Sequence, residues 1–271
     1  MRKEETAPIS VLMSVYEGES PAYLRQALES IYRQTLPADE VVLVEDGPLP
    51  EALVDVLSAY PVKTVKLSAN QGLGIALGEG MKHCRNAWVA RMDSDDIMVP
   101  ERMRLQWEYI RLHPEVSACG GNIREFVSDP KKNRLKRMPV SHESLYQYGK
   151  YRNPINHMTV VFRKRDVMQC GGYRDVRGLE DYDLWIRMLA GGYKLCNMDE
   201  VLVYARMGGN FSARRGGWGY FCRYLGLRRE QHALGCTNKA ECMLGIALTF
   251  AMTLSPGFIR AYLYSGLREG K

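Results

Sequence analysis

Residues 88–102 read WVARMDSDDIMVPER, and the fold turns on how this stretch is taken. Trp88 to Met92 is an apolar run of strand length, followed at once by Asp93, Asp95 and Asp96, three carboxylates in four positions. Asp is a poor strand former and like charges repel. The cluster is therefore either a solvated turn ahead of a helix or a seat for a cation. A helix over Glu101 to Leu112, closed by His113-Pro114, follows in both cases.

Upstream, Ile9 to Val15 and Val41 to Val44 are continuous apolar runs, as expected of strands covered on both faces. Ser20-Pro21 predicts a helix start, with Ser as N-cap and Pro at the first helical position. Leu24, Ala27, Leu28 and Ile31 form its apolar face, and Thr35 to Pro37 its end. Glu45-Asp46-Gly47-Pro48 reads as a turn, Glu51 to Ala59 as a second helix and Val62 to Leu67 as a third strand. Asn70 to Cys84 reads as a Gly-rich lead into another helix. Strands alternating with helices predict a parallel sheet with helices on both faces, and such sheets carry their ligand crevice at the carboxyl ends of the strands. That edge would gather Ser14, Asp46 and Asp93. Segments 120–165 and 170–215, rich in Gly, Arg, Tyr and Asn, read as loops and short strands that complete a pocket.

The chain of 271 residues is 46% hydrophobic and 25% charged, an ordinary globular composition that excludes a disordered chain. The amino-terminal MRKEETAPIS lacks the apolar core of a signal peptide, which predicts a cytoplasmic protein. Seven Cys, an odd number without C-x-x-C, argue against a disulfide framework and a zinc knuckle. The net charge of +6 is unevenly spread: residues 1–130 carry 13 Lys/Arg against 20 Asp/Glu, and residues 131–271 carry 24 against 11. A basic second half favours an anionic partner without choosing among phosphorylated substrate, membrane and nucleic acid. Cys242 to Leu254 is a nearly uncharged run of 13 residues, short of the roughly 20 that span a bilayer. It reads as an interfacial or a core helix.

With these residues in view the chain resembles the family 2 glycosyltransferases, inverting nucleotide-sugar enzymes of the GT-A fold. The resemblance runs over roughly residues 8–215 and rests on ISVLMSVYEGESPAYLRQALESIYRQT (9–35), EVVLVEDGP (40–48), NQGLGIALGEG (70–80), RMDSDDIMVPERM (91–103), NPINHMTVVFRK (153–164) and GLEDYDLWIRM (178–188), in the family's order. It is similar, more loosely, to bacterial members that build O-antigen or exopolysaccharide repeat units on a lipid carrier. Glu45-Asp46-Gly47-Pro48 stands where the family usually has Asp-Asp-Gly-Ser, and Gly78 where it usually has Asn.

The resemblance implies a GT-A domain over 1–215, its nucleotide-binding half 1–116 and its acceptor and catalytic half 117–215. A Rossmann-like, mostly parallel sheet would be followed by a membrane-associated helical extension over 216–271. It implies Asp95 as principal ligand of Mn²⁺ or Mg²⁺, since hard cations prefer oxygen donors. Asp93 and Asp96 would be shared between metal and ribose. Asp46 would accept from a uracil ring, with Ser14 and Glu45 nearby, and the amides opening at Asn70 and Gly72 would face nucleotide or phosphate. Asp181 takes the place of the catalytic base, and Glu180 and Trp185 are acceptor-side candidates, Glu180 being either contact or support. Asp183 would cap the helix that follows it. His157 is either near metal and diphosphate or a satisfied core histidine, and Arg215, beside Arg214, either part of a lid over the diphosphate or surface charge. The partners implied are a UDP-sugar and a saccharide on a polyprenyl diphosphate, met at the inner face of the cytoplasmic membrane. The rivals are a sugar-phosphate nucleotidyltransferase, which would place a Gly-rich, Arg-containing loop where Tyr16 to Pro21 stands, and a nucleic-acid-binding module. Charge alone suggests the latter, and it gives no reason for three clustered Asp, so no nucleic-acid partner is expected.

Overall fold

The computed structural model describes residues 6–208 and 216–255. In chain order its elements are β1 (Ala7–Val15), α1 (Pro21–Tyr32), β2 (Ala38–Glu45), α2 (Glu51–Ser58), β3 (Lys63–Lys66), α3 (Leu73–His83), β4 (Trp88–Arg91), β5 (Ile97–Met98) and α4 (Arg102–Leu112). There follow β6 (Val116–Phe126), β7 (Asn133–Lys136), α5 (His142–Gly149), a 3₁₀ turn at His157–Thr159, β8 (Val161–Arg163), α6 (Lys164–Gln169), α7 (Glu180–Ala190), β9 (Lys194–Arg206), α8 (Trp218–Ala233) and α9 (Lys239–Leu254).

One sheet runs β3-β2-β1-β4-β8-β6-β9-β5, with β7 added to β6. Its first four strands are parallel, and their carboxyl ends share one edge. The mostly parallel sheet expected from sequence extends no further. β8 runs antiparallel to β4 and to β6, β5 to β9 and β7 to β6, so only β6 with β9 adds a parallel pair. β6 and β9 span 11 and 13 residues where short strands and loops were expected. β6 is covered on both faces almost throughout, which removes the alternation that would have marked it. Its Gly120 and Gly121 admit neighbours that a side chain would exclude: a Cβ would lie 2.5 Å from Asn197 Oδ1 and 2.6 Å from Leu202 Cδ1 respectively.

The helices cover both faces. α1 buries Leu24, Ala27, Leu28 and Ile31, the stripe expected, and a fully buried Leu or Ile contributes about 1.5–3 kcal/mol. Pro21 begins it, but Ser20 makes no side-chain cap; Glu19 Oε1 instead accepts from the Ser20 amide at 2.7 Å. On the other face α3 lies against β1 and β2 at Gly80, where a Cβ would come within 2.6 Å of Leu12 Cδ1 and 2.5 Å of Val44 Cγ2.

The helical carboxyl-terminal part is joined to the rest by a core of its own, in which Leu179, Tyr182 and Ile186 meet Tyr220, Leu227 and Cys236. The Arg228 guanidinium, 3% exposed, donates to Tyr182 Oη at 2.8 Å and to the Lys150 and Tyr151 carbonyls. α9 opens on a capping box between Asn238 and Glu241. Among the described residues no helix is long and apolar enough to cross a membrane.

Replacing Gly80 by Val should cost about 1–3 kcal/mol of stability through overpacking of the α3 contact, read from urea unfolding. An unchanged midpoint at unchanged slope would show that the contact is looser than described.

Candidate active site

The edge at which β1, β2 and β4 end is stitched together by main-chain bonds. The Asp46 amide donates to Val15 O at 2.8 Å, and the Met92 amide to Leu12 O at 3.0 Å. Asp46, 4% exposed, accepts the amides of Gln71 at 2.7 Å and Gly72 at 3.0 Å on its two carboxylate oxygens. The amides opening α3, expected to face nucleotide or phosphate, are thus in part turned onto Asp46, which ties the loop after β2 to the start of α3. Gly47, with φ +91°, makes the turn possible: a Cβ there would lie 2.7 Å from the Asn70 nitrogen. Glu45 is buried at the end of β2 and reaches the exposed Lys66 at 3.3 Å. Ser14 is half-buried beside Val44.

Asp93, Asp95 and Asp96 follow β4 directly, and each offers a carboxylate oxygen within 4.8 Å of the others, the one such group of three or more metal-ligating side chains among the described residues. The surrounding chain neutralises them only in part. Arg91 pairs with Asp93 at 2.5 Å, and the Arg206 amide donates to Asp96 Oδ1 at 2.6 Å. Asp96 Oδ2 is buried without a hydrogen-bond partner. Burial, then the charge of Asp93, then that of Glu19 push Asp95 up to about 7. Burial and then Asp93 and Asp95 raise Asp96 well above the ordinary carboxylate range. An orphaned buried oxygen amid crowded oxygen donors fits a hard divalent cation.

Two residues that sequence reasoning missed hold the cluster in place. Glu19 accepts from Ser94 Oγ at 2.6 Å. The Arg206 guanidinium, lying 3.8 Å over Tyr23 and 4.6 Å over Phe126, donates to Asp95 O at 3.0 Å. Neither carried a local signal, since one sits in the loop after β1 and the other at the far end of β9.

The start of α7 reaches the same edge. A Cβ on Gly74 would lie 3.0 Å from Glu180 Cγ and 2.3 Å from Arg174 O, so only glycine lets α3 abut this loop. The Asp181 carboxylate accepts from Asn153 Nδ2 at 2.5 Å and from the Tyr182 amide at 2.8 Å. Glu180 turns back to accept the Gly178 amide at 2.9 Å, and burial raises its pKa. Asp183 does not cap. It lies within α7 and is paired with Arg187 at 2.6 Å, because the helix begins earlier, at Glu180. Trp185, expected on the acceptor side, is wholly buried and packs in the core beneath α3 and β8. The hydrophobic face of α7 demands it there.

His157 is buried, its Nε2 2.8 Å from the Tyr173 hydroxyl. Burial and then the nearby Arg91 charge hold its pKa well below the ordinary value, which keeps the ring neutral. The Arg91 charge acts on His157 and on the acidic cluster alike. The Tyr173 hydroxyl, whose pKa burial raises, feels the charges of Arg91, Asp181, Glu180 and Asp93. Arg215 and Arg214 lie outside the described residues.

Residues 10–172 match the family model described as glycosyl transferase family 2. The chain belongs to that family. It is 40% identical to the amylovoran biosynthesis glycosyltransferase AmsE of Erwinia amylovora, over 96% of this chain and 99% of that one. It is 32% identical, over 96% of each chain, to an Escherichia coli UDP-Gal:alpha-D-GlcNAc-diphosphoundecaprenol beta-1,3-galactosyltransferase. Among solved structures, Staphylococcus aureus TarS 1–349 in complex with UDP-GlcNAc superposes with a TM-score of 0.68 at 16% identity, covering 90% of this chain and 71% of that one. A Pyrobaculum calidifontis mannosyltransferase in complex with GDP-Man and Mn²⁺ superposes at 0.60 and 15% identity, covering 98% and 81%. The GT-A architecture expected of a family 2 glycosyltransferase is thus the one observed, as a mixed α/β fold.

The acidic cluster sets a pH dependence. A carboxyl whose pKa is raised by folding binds more protons folded than unfolded, so its contribution to stability is lost as pH rises from about 3.8 toward about 7. With chelator present, the thermal midpoint should fall between pH 5.5 and 8, and Asp95→Asn should flatten that fall. Mn²⁺ should raise the midpoint of the unaltered chain more at pH 8 than at pH 5.5. A cation-independent midpoint at both values would remove the metal seat.

Proposed function

We propose that this family 2 glycosyltransferase moves a hexose or N-acetylhexosamine from a UDP-sugar, with inversion, to a saccharide carried on a polyprenyl diphosphate, in the assembly of a bacterial surface polysaccharide. One observation supports the reading: an under-neutralised carboxylate cluster after β4 and a carboxylate oriented by Asn153 at the start of α7 both act electrostatically on the Tyr173 hydroxyl. The named activities of the Erwinia and Escherichia relatives support the substrate classes.

Asp93 and Asp95, backed by Asp96, would hold the divalent cation, Mn²⁺ or Mg²⁺. Bound there, it would stabilise charge on the departing diphosphate. Asp46 fixes the loop 70–72 beside which the nucleotide would lie, with Ser14 and Glu45 at the adjoining strand ends. Asp181 takes the proton of the acceptor hydroxyl as that oxygen attacks the anomeric carbon opposite the leaving group; a single displacement needs no second carboxylate. Asn153 and the Tyr182 amide orient it, each by a bond to one oxygen. Arg91 holds Asp93 in place from below, and neutral His157 braces Tyr173. The acceptor's lipid places the work at the inner face of the cytoplasmic membrane, with the chain peripheral to it.

The test is a screen of UDP-sugars against a lipid-linked saccharide acceptor, with and without chelator. Chelator should abolish transfer. Asp181→Asn should lower turnover by at least about 10²-fold while UDP binding stays nearly unchanged. Turnover within a factor of about ten of the unaltered chain would show that Asp181 is not the base.

A further inference from the structure

α9 is built inside out. Its protein-facing side consists of Cys242, Gly245, Thr249 and Thr253, all buried, whereas Met243, Leu244, Leu248 and Phe250 are 66, 51, 49 and 51% exposed. The inner side is satisfied: Thr249 and Thr253 return their hydroxyls to the Gly245 and Thr249 carbonyls at 2.7 and 2.8 Å. Gly245 lets α8 approach until a Cβ would lie 3.3 Å from the Arg228 side chain. The helix thus spends its small residues on close packing and turns its large apolar ones outward, the reverse of a surface helix on a water-facing domain. At its far end Trp218, 64% exposed, continues the apolar surface through Phe221, whose ring meets Trp218 at 5.4 Å and Phe250 at 5.5 Å. An apolar surface of this kind marks a binding face rather than scattered exposure.

The charges around it select the partner. Along α8 and α9 both acids are engaged, Glu230 with Arg174 at 2.6 Å and Glu241 with Lys150 at 2.7 Å. The exposed charges left are Arg223, Arg229 and Lys239, all positive. A second copy docked face to face would bring two such sets of cations together. An anionic surface would instead be matched to them, and an exposed Trp beside aliphatic residues suits the boundary between headgroup and acyl chain.

We propose that the outward face of α9, with Trp218, seats on an anionic phospholipid bilayer and so holds the start of α7 at a set height above it. This deepens, and rests on, the lipid-linked acceptor proposed above. The link is mechanical. α8 is packed on α7 through Tyr220 and Leu227, and Arg228 bonds Tyr182, the residue after Asp181. A hairpin seated on lipid therefore fixes the helix that carries the proposed base relative to the plane from which a lipid-borne hydroxyl arrives.

The experiment is co-sedimentation of the full chain with phosphatidylethanolamine vesicles, with and without phosphatidylglycerol. It is run beside transfer of sugar to a water-soluble acceptor analogue and sizing by light scattering. The unaltered chain should bind the phosphatidylglycerol vesicles, less so as salt rises. Leu244→Glu/Leu248→Glu should lower that binding at least about tenfold. Its melting point and its transfer to the soluble acceptor should hold, since neither side chain is packed inside. Undiminished vesicle binding by the double variant overturns the proposal. So does a dimer that the variant splits without loss of vesicle binding, which would give the face to a second copy. Loss of vesicle binding only when residues 256–271 are deleted overturns it too. A chain that binds vesicles as described but transfers sugar to no acceptor leaves this surface standing and sinks the functional reading instead.

Discussion

Three carboxylates within 4.8 Å of one another, one oxygen buried and unbonded, impose a repulsion that the rest of the molecule is organised to contain. Arg91 offsets it from beneath and the Arg206 amide from beside, while Glu19 adds to it. Desolvation adds to the cost, because burial disfavours the charged forms of Asp95 and Asp96 together. A divalent cation bound among the carboxylates would offset that repulsion, and it is such an ion that the proposed reaction would use.

From that constraint the surrounding architecture follows. The parallel strands deliver three loops to one edge, and Asp46 locks the second of them to the start of α3. The antiparallel half of the sheet then carries β9 back across β5, so that Arg206 arrives beside Asp95 and Asp96 from a point more than a hundred residues away. Glycine at 74 allows α7 to begin against α3, which brings Asp181 within the electrostatic reach of Tyr173. The site is thus assembled from both halves of the sheet, and neither half contains it.

Much of this was legible in the residues. The apolar runs before Val15, Glu45 and Arg91 marked strands ending at a common edge, and the stripe of Leu24, Ala27, Leu28 and Ile31 marked α1. The D-x-D-D cluster declared its own cost. The places where the structure differs from these expectations have separate causes. β6 and β9, buried on both faces or broken by register shifts, show no alternation. Trp185 lies one turn further into α7 than Asp181, and there it is wholly buried. Asp183 looked like a cap because the helix was placed too late, and inside it the Arg187 pair became its partner.

The chain by itself determined which residues are chemically expensive, the clustered Asp and the carboxylate at 181, and which strands would carry them, since periodicity and charge are local properties. Only the tertiary structure decided what those residues meet. Arg206 and Asn153 come from segments distant in the chain and Glu19 from the loop after β1, pairings that no spacing encodes, and α9 shows its inverted face only once α8 has claimed the other side. Contacts between distant segments depend on which faces are left after packing, and packing is settled by the whole fold at once.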